Sequence, residues 1–108
     1  MVRIVDLDTE ELRAGLDDGT MIVVDVREPH ELESGMIPGS VSMPLSRFDP
    51  AALPAEAGRR VVFSCAAGVR SRTAIGLAQA GGRDLCEHYA GGFQGWLRSG
   101  SPVTYPDE

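Results

Sequence analysis

The chain reads as an α/β protein, a sheet of buried strands with helices on both faces. Three observations predict this. Residues 21–26 (MIVVDV) and 61–65 (VVFSC) are short, nearly continuous apolar runs rich in β-branched residues, which suits parallel strands buried on both sides. Arg70 to Ala80 sets Ala74, Ile75, Leu77 and Ala78 on one helical face and stops at the Gly81-Gly82 pair. Strand and helix signals alternate, and no repeat, low-complexity tract or long Pro/Gly linker divides the 108 residues. One domain over residues 1–108 is expected, near the commonest domain size.

The remaining elements follow in order. Asp8 with Glu11 is a helix start with an acid at the third position, and Leu12 and Leu16 share a face until Gly19. After the first strand, Pro29 to Ser34 reads as a short helix, with proline in its first turn and Gly35 past its end. Val41 to Pro44 is a weaker strand candidate, and Asp49-Pro50 starts another short turn. Beyond the second strand and the 70–80 helix, Leu85 to Ala90 is a further strand candidate. A final helix begins near Gly92 and carries Phe93, Trp96 and Leu97.

Composition removes several function classes. All ten basic residues are arginine, so Schiff-base chemistry and lysine-built phosphate loops are excluded. A net charge of −6 disfavours nonspecific nucleic-acid binding, which depends on neutralising phosphates. Two Cys and two His without paired spacing fall short of a structural zinc site, and no metal or other cofactor is expected. No apolar run approaches the roughly 20 residues of a membrane span, and the amino terminus lacks a secretory signal. A cytoplasmic protein with no membrane partner is the expectation, in which Cys65 and Cys86 stay reduced. Charge is unevenly spread: residues 59–83 hold five arginines and no carboxylate, so one local site favours anions.

That site centres on Cys65. In open α/β sheets ligands bind beyond the carboxyl ends of the strands, and Cys65 stands at that end of a buried strand. Ala66, Ala67, Gly68 and Val69 lead directly to Arg70, which opens the best helix in the chain. A small-residue loop feeding a helix start aims backbone N–H groups and the positive end of the helix dipole at one point. The same field favours thiolate over thiol and makes the cysteine nucleophilic. A buried packing cysteine is the plain alternative. It has no need of the loop, the helix start and the acid-free surroundings together.

The string Cys65-Ala-Ala-Gly-Val-Arg70-Ser71 resembles the active-site loop of rhodanese-like sulfurtransferases. Asp25-Val26-Arg27-Glu28-Pro29-His30-Glu31 looks like the family's first motif, Ser34-Gly35-Met36-Ile37-Pro38-Gly39-Ser40 like the turn after it, and Gly91-Gly92-Phe93 with Trp96 like its C-terminal motif. The resemblance covers nearly the whole chain. It implies a rhodanese-like fold with a five-stranded, mainly parallel central sheet flanked by helices. It also implies a double displacement: thiosulfate or another persulfide donor gives its outer sulfur to Cys65, and the persulfide passes it to cyanide, a thiol or an acceptor protein. Ala66, Ala67, Gly68, Val69 and Arg70 would then bind the substrate. Cysteine phosphatases, including those of this fold, generally place five residues between cysteine and arginine, whereas Arg70 follows Cys65 after four. A phosphatase or arsenate reductase and a noncatalytic binding module are the rival readings. Ala66 and Ala67 replace the polar residues of many thiosulfate-using members, and Met36 stands where the turn usually has histidine, which makes that position structural.

Arg70 has two readings, an anion clamp whose planar fork suits oxyanions, favoured here, and an arginine that is exposed or salt-bridged to the structure. Arg72 reads as surface. Asp25, Arg27 and Ser71 read as structural support, with Arg27 tied to a carboxylate such as Glu33 and Asp25 accepting loop hydrogen bonds. His30 reads as helix surface and His88 as a strand residue with no acidic partner evident in sequence. Cys86 reads as a buried packing thiol away from the catalytic edge, and Phe93 and Trp96 as core anchors.

Overall fold

A computed structural model describes residues 1–54 and 58–106. Five strands, β1 (Val5–Leu7), β2 (Met21–Asp25), β3 (Val41–Ser42), β4 (Arg60–Ser64) and β5 (Glu87–Tyr89), form one sheet in the order β1-β5-β4-β2-β3. Every pairing in it is parallel. Among the described residues, helices α1 (Thr9–Asp17), α2 (Pro29–Leu32) and α3 (Arg70–Ala80) connect strands, and α4 (Gly92–Arg98) follows β5. Short 3-10 turns at Leu45–Arg47 and Pro50–Ala52 complete the chain's crossing from β3 to β4.

Strand β2 is buried along its whole length, as a run without alternation requires. Ile22, Val24 and Phe63 pack under Ala74, Ile75 and Ala78 of α3, while Val23, Val62 and Tyr89 face Leu12 of α1 and Phe93 and Trp96 of α4. Burying each of the larger apolar side chains contributes about 1.5–3 kcal/mol. Leu77, expected on the buried face of α3, is 43% exposed. It lies about 100° around the helix from the Ala74–Ile75–Ala78 stripe, at 3.6 residues per turn. The capping box at the start of α1 is formed, with Asp8 Oδ1 accepting from Glu11 N–H and Glu11 Oε1 from Asp8 N–H.

Strand β1 lay outside the sequence reading. Its three residues are too few for a periodic signal, yet they pair with all three residues of β5. This edge brings Asp6 opposite His88.

Candidate active site

Parallel strands all deliver their carboxyl ends to one edge. There β4 ends at Ser64 and hands the chain to Cys65, which is 1% exposed. Residues 65–69 then turn beneath the first residues of α3. Gly68 takes a positive φ of 84°, and a Cβ there would stand 2.3 Å from Ala90 O. Gly92 has φ 62°, and its Cβ would stand 2.5 Å from Ala66 O. No L side chain fits either place, so the cysteine loop and the Gly91-Gly92 turn lock together through two glycines. Phe93 N–H donates to Cys65 O (2.7 Å) and Gln94 N–H to Ala66 O (3.0 Å), closing the seam.

Inside the loop, Gly68 N–H donates to Cys65 Sγ at 3.1 Å, and Ser71 Oγ lies 3.5 Å from the same sulfur. Burial pushes the Cys65 thiol up. The Ser71 hydroxyl and the N–H groups of Ser71, Ala67 and Gly68 outweigh it and hold the thiol below its ordinary value. These hydrogen bonds favour the charged form of the sulfur. Ala67 and Val69 are exposed at the mouth of the loop, whereas Gly68 is buried in its wall.

Asp25 and Arg27 form the floor. Arg27 pairs with Asp25, not with Glu33 as expected: Nη2 donates to Oδ2 at 2.8 Å and Nε to Oδ1 at 3.1 Å. Their two-residue separation at the end of β2 lets the guanidinium fold straight back, and the Arg27 N–H also reaches Asp25 Oδ1. Its remaining donors go to Gly35 O (2.9 Å) and Glu31 O (3.3 Å), and its plane lies 4.3 Å from the Phe93 ring centroid. Phe93 in turn binds Cys65 O, so the buried pair supports the loop through one intermediate residue.

Arg70 does not present a free fork. Glu31 grips it with both carboxylate oxygens, at 2.6 and 2.8 Å. The Arg70 bond, stronger than the opposing effect of burial, holds the Glu31 carboxyl down at about 2. Glu31 also caps α2 by accepting from Glu28 N–H. Its role was missed in sequence, where the Glu28/Glu31 spacing was the one available sign.

His88 lies on β5, a strand residue as expected, and the fold gives it an acidic partner that local sequence does not show. It is 1% exposed, and its ring nitrogens meet Ser71 Oγ (Nδ1, 2.7 Å) and Asp6 Oδ1 (Nε2, 2.7 Å). Its acidic partner is eighty-two residues away and becomes a neighbour only through the β1–β5 pairing. Cys86 is not a buried packing thiol. It is half-buried just before β5, and Arg3 Nη2 lies 3.3 Å from its sulfur. His30 and Arg72 are exposed as expected, and Phe93 and Trp96 sit in the core. Met36 exchanges backbone hydrogen bonds with Thr104, in keeping with a structural position. A hollow of about 400 Å³ lies near the amino ends of β2 and β4 among Arg13, Met21, Arg59 and Trp96, away from Cys65. None of the residues lining it is a cysteine.

Residues 8–99 match the model of the Rhodanese-like domain. The chain belongs to the rhodanese-like family. Among curated relatives of this rhodanese-like chain, a mouse thiosulfate sulfurtransferase/rhodanese-like domain-containing protein 3 is 36% identical over 81% of the chain. The chain spans 64% of that protein's length. A sulfurtransferase of Allochromatium vinosum is 30% identical, with 94% of this chain and 96% of that one covered. Among solved structures, the human single-domain sulfurtransferase TSTD1 is 31% identical with a TM-score of 0.73, covering 86% of this chain and 95% of that one. A Rhodopseudomonas palustris protein of unknown function, described as a possible tyrosine phosphatase, is 32% identical with a TM-score of 0.79, covering 94% and 85%. Among the described residues, no helix is long and apolar enough to cross a membrane.

Proposed function

We propose that this chain is a cytoplasmic, single-domain sulfurtransferase that moves sulfane sulfur through a persulfide on Cys65. In the first step the Cys65 thiolate attacks the outer sulfur of thiosulfate. An S–S bond forms to Cys65, the old S–S bond breaks, and sulfite leaves with the electron pair. In the second step cyanide, a thiolate or an acceptor protein attacks the terminal sulfur and restores the Cys65 thiolate. The observation that carries this reading is the sulfur of Cys65 lying against Gly68 N–H and Ser71 Oγ at the start of α3. Such donors stabilise a thiolate and, one atom further out, a terminal persulfide sulfur or a leaving sulfite. Ala66, Ala67, Gly68 and Val69 form the binding loop in this scheme, and Arg70 contributes charge at its rim while bound to Glu31. Asp25, Arg27 and Ser71 hold the loop in shape.

Intact mass after incubation with thiosulfate tests the proposal. One added sulfur is expected, removable by cyanide, retained in Cys86→Ser and absent from Cys65→Ser. An unmodified wild type with every sulfane donor tried would sink it. The phosphatase reading has the Rhodopseudomonas relative in its favour. Against it, the position that follows five intervening residues after Cys65 is Ser71, whose hydroxyl is turned to His88, and the arginine of the loop, Arg70, stands one place too early. Cys65-dependent hydrolysis of an aryl phosphate, faster than sulfur transfer, would reverse that order. A noncatalytic module would show neither reaction.

A further inference from the structure

A buried thiol that must become a thiolate has to send its proton somewhere, and Cys65 is only 1% exposed. One continuous hydrogen-bonded path leads away from it. Cys65 Sγ lies 3.5 Å from Ser71 Oγ, Ser71 Oγ lies 2.7 Å from His88 Nδ1, and His88 Nε2 lies 2.7 Å from Asp6 Oδ1. The first three residues are buried, whereas the Asp6 side chain is 62% exposed and borders a hollow that it shares with Asp8 and Glu11. The path runs across one face of the sheet, since the registers β1–β5 and β4–β5 set Asp6, His88 and Phe63 side by side, under α3.

We propose that Ser71, His88 and Asp6 form a proton relay that removes the Cys65 thiol proton and holds it on His88 while the thiolate attacks its donor. Polarity along the path is fixed from its outer end. The Asp6 carboxylate accepts only, so neutral His88 carries its proton on Nε2 and offers Nδ1 as an acceptor. Ser71 then donates to Nδ1 and accepts from the Cys65 S–H. Transfer moves two protons one place each: the thiol proton to Ser71 Oγ, and the former hydroxyl proton to His88 Nδ1. The products are a Cys65 thiolate receiving the new Ser71 O–H, and a His88 imidazolium donating to Ser71 Oγ and to Asp6. Two neutral groups become an ion pair, the total charge is unchanged, and no other reactant is needed. His88 touches no substrate and acts through Ser71, so it is a positioning and proton-holding residue. The other charged groups facing the path are Arg72 of α3, whose Nη1 lies 3.8 Å from the same Asp6 oxygen, and Arg70, turned to Glu31.

The relay deepens the persulfide reading and rests on it for its purpose, but its test needs no sulfur donor. In a Cys86→Ser background, the rate of Cys65 alkylation by iodoacetamide is followed against pH for wild type, Asp6→Asn and His88→Asn. The His88 ring proton is followed in parallel by NMR, with His30→Gln for assignment. Asp6→Asn is a mild change at an exposed side chain, so it keeps the test valid even if His88→Asn does not fold. Alkylation at neutral pH is expected to slow about tenfold in Asp6→Asn, equivalent to roughly one pH unit in the midpoint. The wild-type His88 signal should move over the same pH interval as Cys65 reactivity, and that step should vanish in Cys65→Ser. An unchanged midpoint in Asp6→Asn, or a His88 signal indifferent to Cys65→Ser, overturns the relay. A protein that shows these couplings but never acquires sulfur would keep the relay and lose the sulfurtransferase reading instead.

Discussion

Two arginine–carboxylate pairs flank the cysteine loop, and they are alike in chemistry but opposite in setting. Arg27 and Asp25 have side chains only 3% exposed, with further donors spent on backbone carbonyls and a ring face against Phe93. Arg70 and Glu31 are 32% and 24% exposed, at the rim. A buried pair must stay intact because either partner alone would be an uncompensated charge away from water. A rim pair is exposed to solvent and can yield to an incoming anion. On the proposed reading, the first pair serves as foundation and the second as tuning.

The largest expected effect tests the foundation. Arg27→Ala should cost about 3–5 kcal/mol in unfolding free energy, because Asp25 is left buried and unpaired. Chemical denaturation measures it, and a cost below about 1 kcal/mol would erase the contrast between the pairs. Replacing Asp25 and Arg27 together by apolar residues should cost less than Arg27→Ala alone, since no orphan charge remains.

Next comes Arg70→Ala, which should leave stability within about 1 kcal/mol, as for exposed pairs generally. Thiosulfate efficiency should fall by up to about tenfold, the scale of one charge-assisted interaction of ~1.4 kcal/mol, while an uncharged persulfide donor loses less. Equal losses for both donors would move Arg70 from tuning to foundation.

The smallest effect is a pH dependence of the rim pair. Glu31 titrates at about 2 in the folded chain against an ordinary 4.5, chiefly through Arg70. A depressed carboxyl lends stability above its ordinary value and loses it on acidification, so the contribution fades as pH falls from 4.5 toward 2. Solvent at the rim limits it to about 1 kcal/mol. Glu31→Gln should flatten that portion of the stability profile, and an unaltered profile would mean the pair adds nothing.

How far these features were legible in sequence follows from their range along the chain. The α3 helix, from Arg70 to Ala80, and the placement of Cys65 just before it came from local signals: apolar runs, a glycine pair, a small-residue loop. Asp25 and Arg27 were legible as paired charges but not as each other's partners, because strand alternation does not reveal a side chain folding back over two residues. Glu31 and Arg70 are thirty-nine residues apart, and Asp6 and His88 eighty-two. Nothing local marks such pairs. They exist through the order of strands in the sheet, and β1, at three residues, is the element whose own sequence says least.

The two glycines that join the cysteine loop to the turn before α4 also bear on the order of folding. Gly68 rests against Ala90 and Gly92 against Ala66, while Phe93 and Gln94 supply N–H groups to Cys65 and Ala66. The loop therefore cannot take its final shape until residues 87–94 have docked, although Cys65 is made much earlier on the ribosome. A nascent or partly folded chain carries an ordinary thiol at this position. On the proposed reading, the N–H groups that favour the Cys65 thiolate come into place only when residues 87–94 have docked.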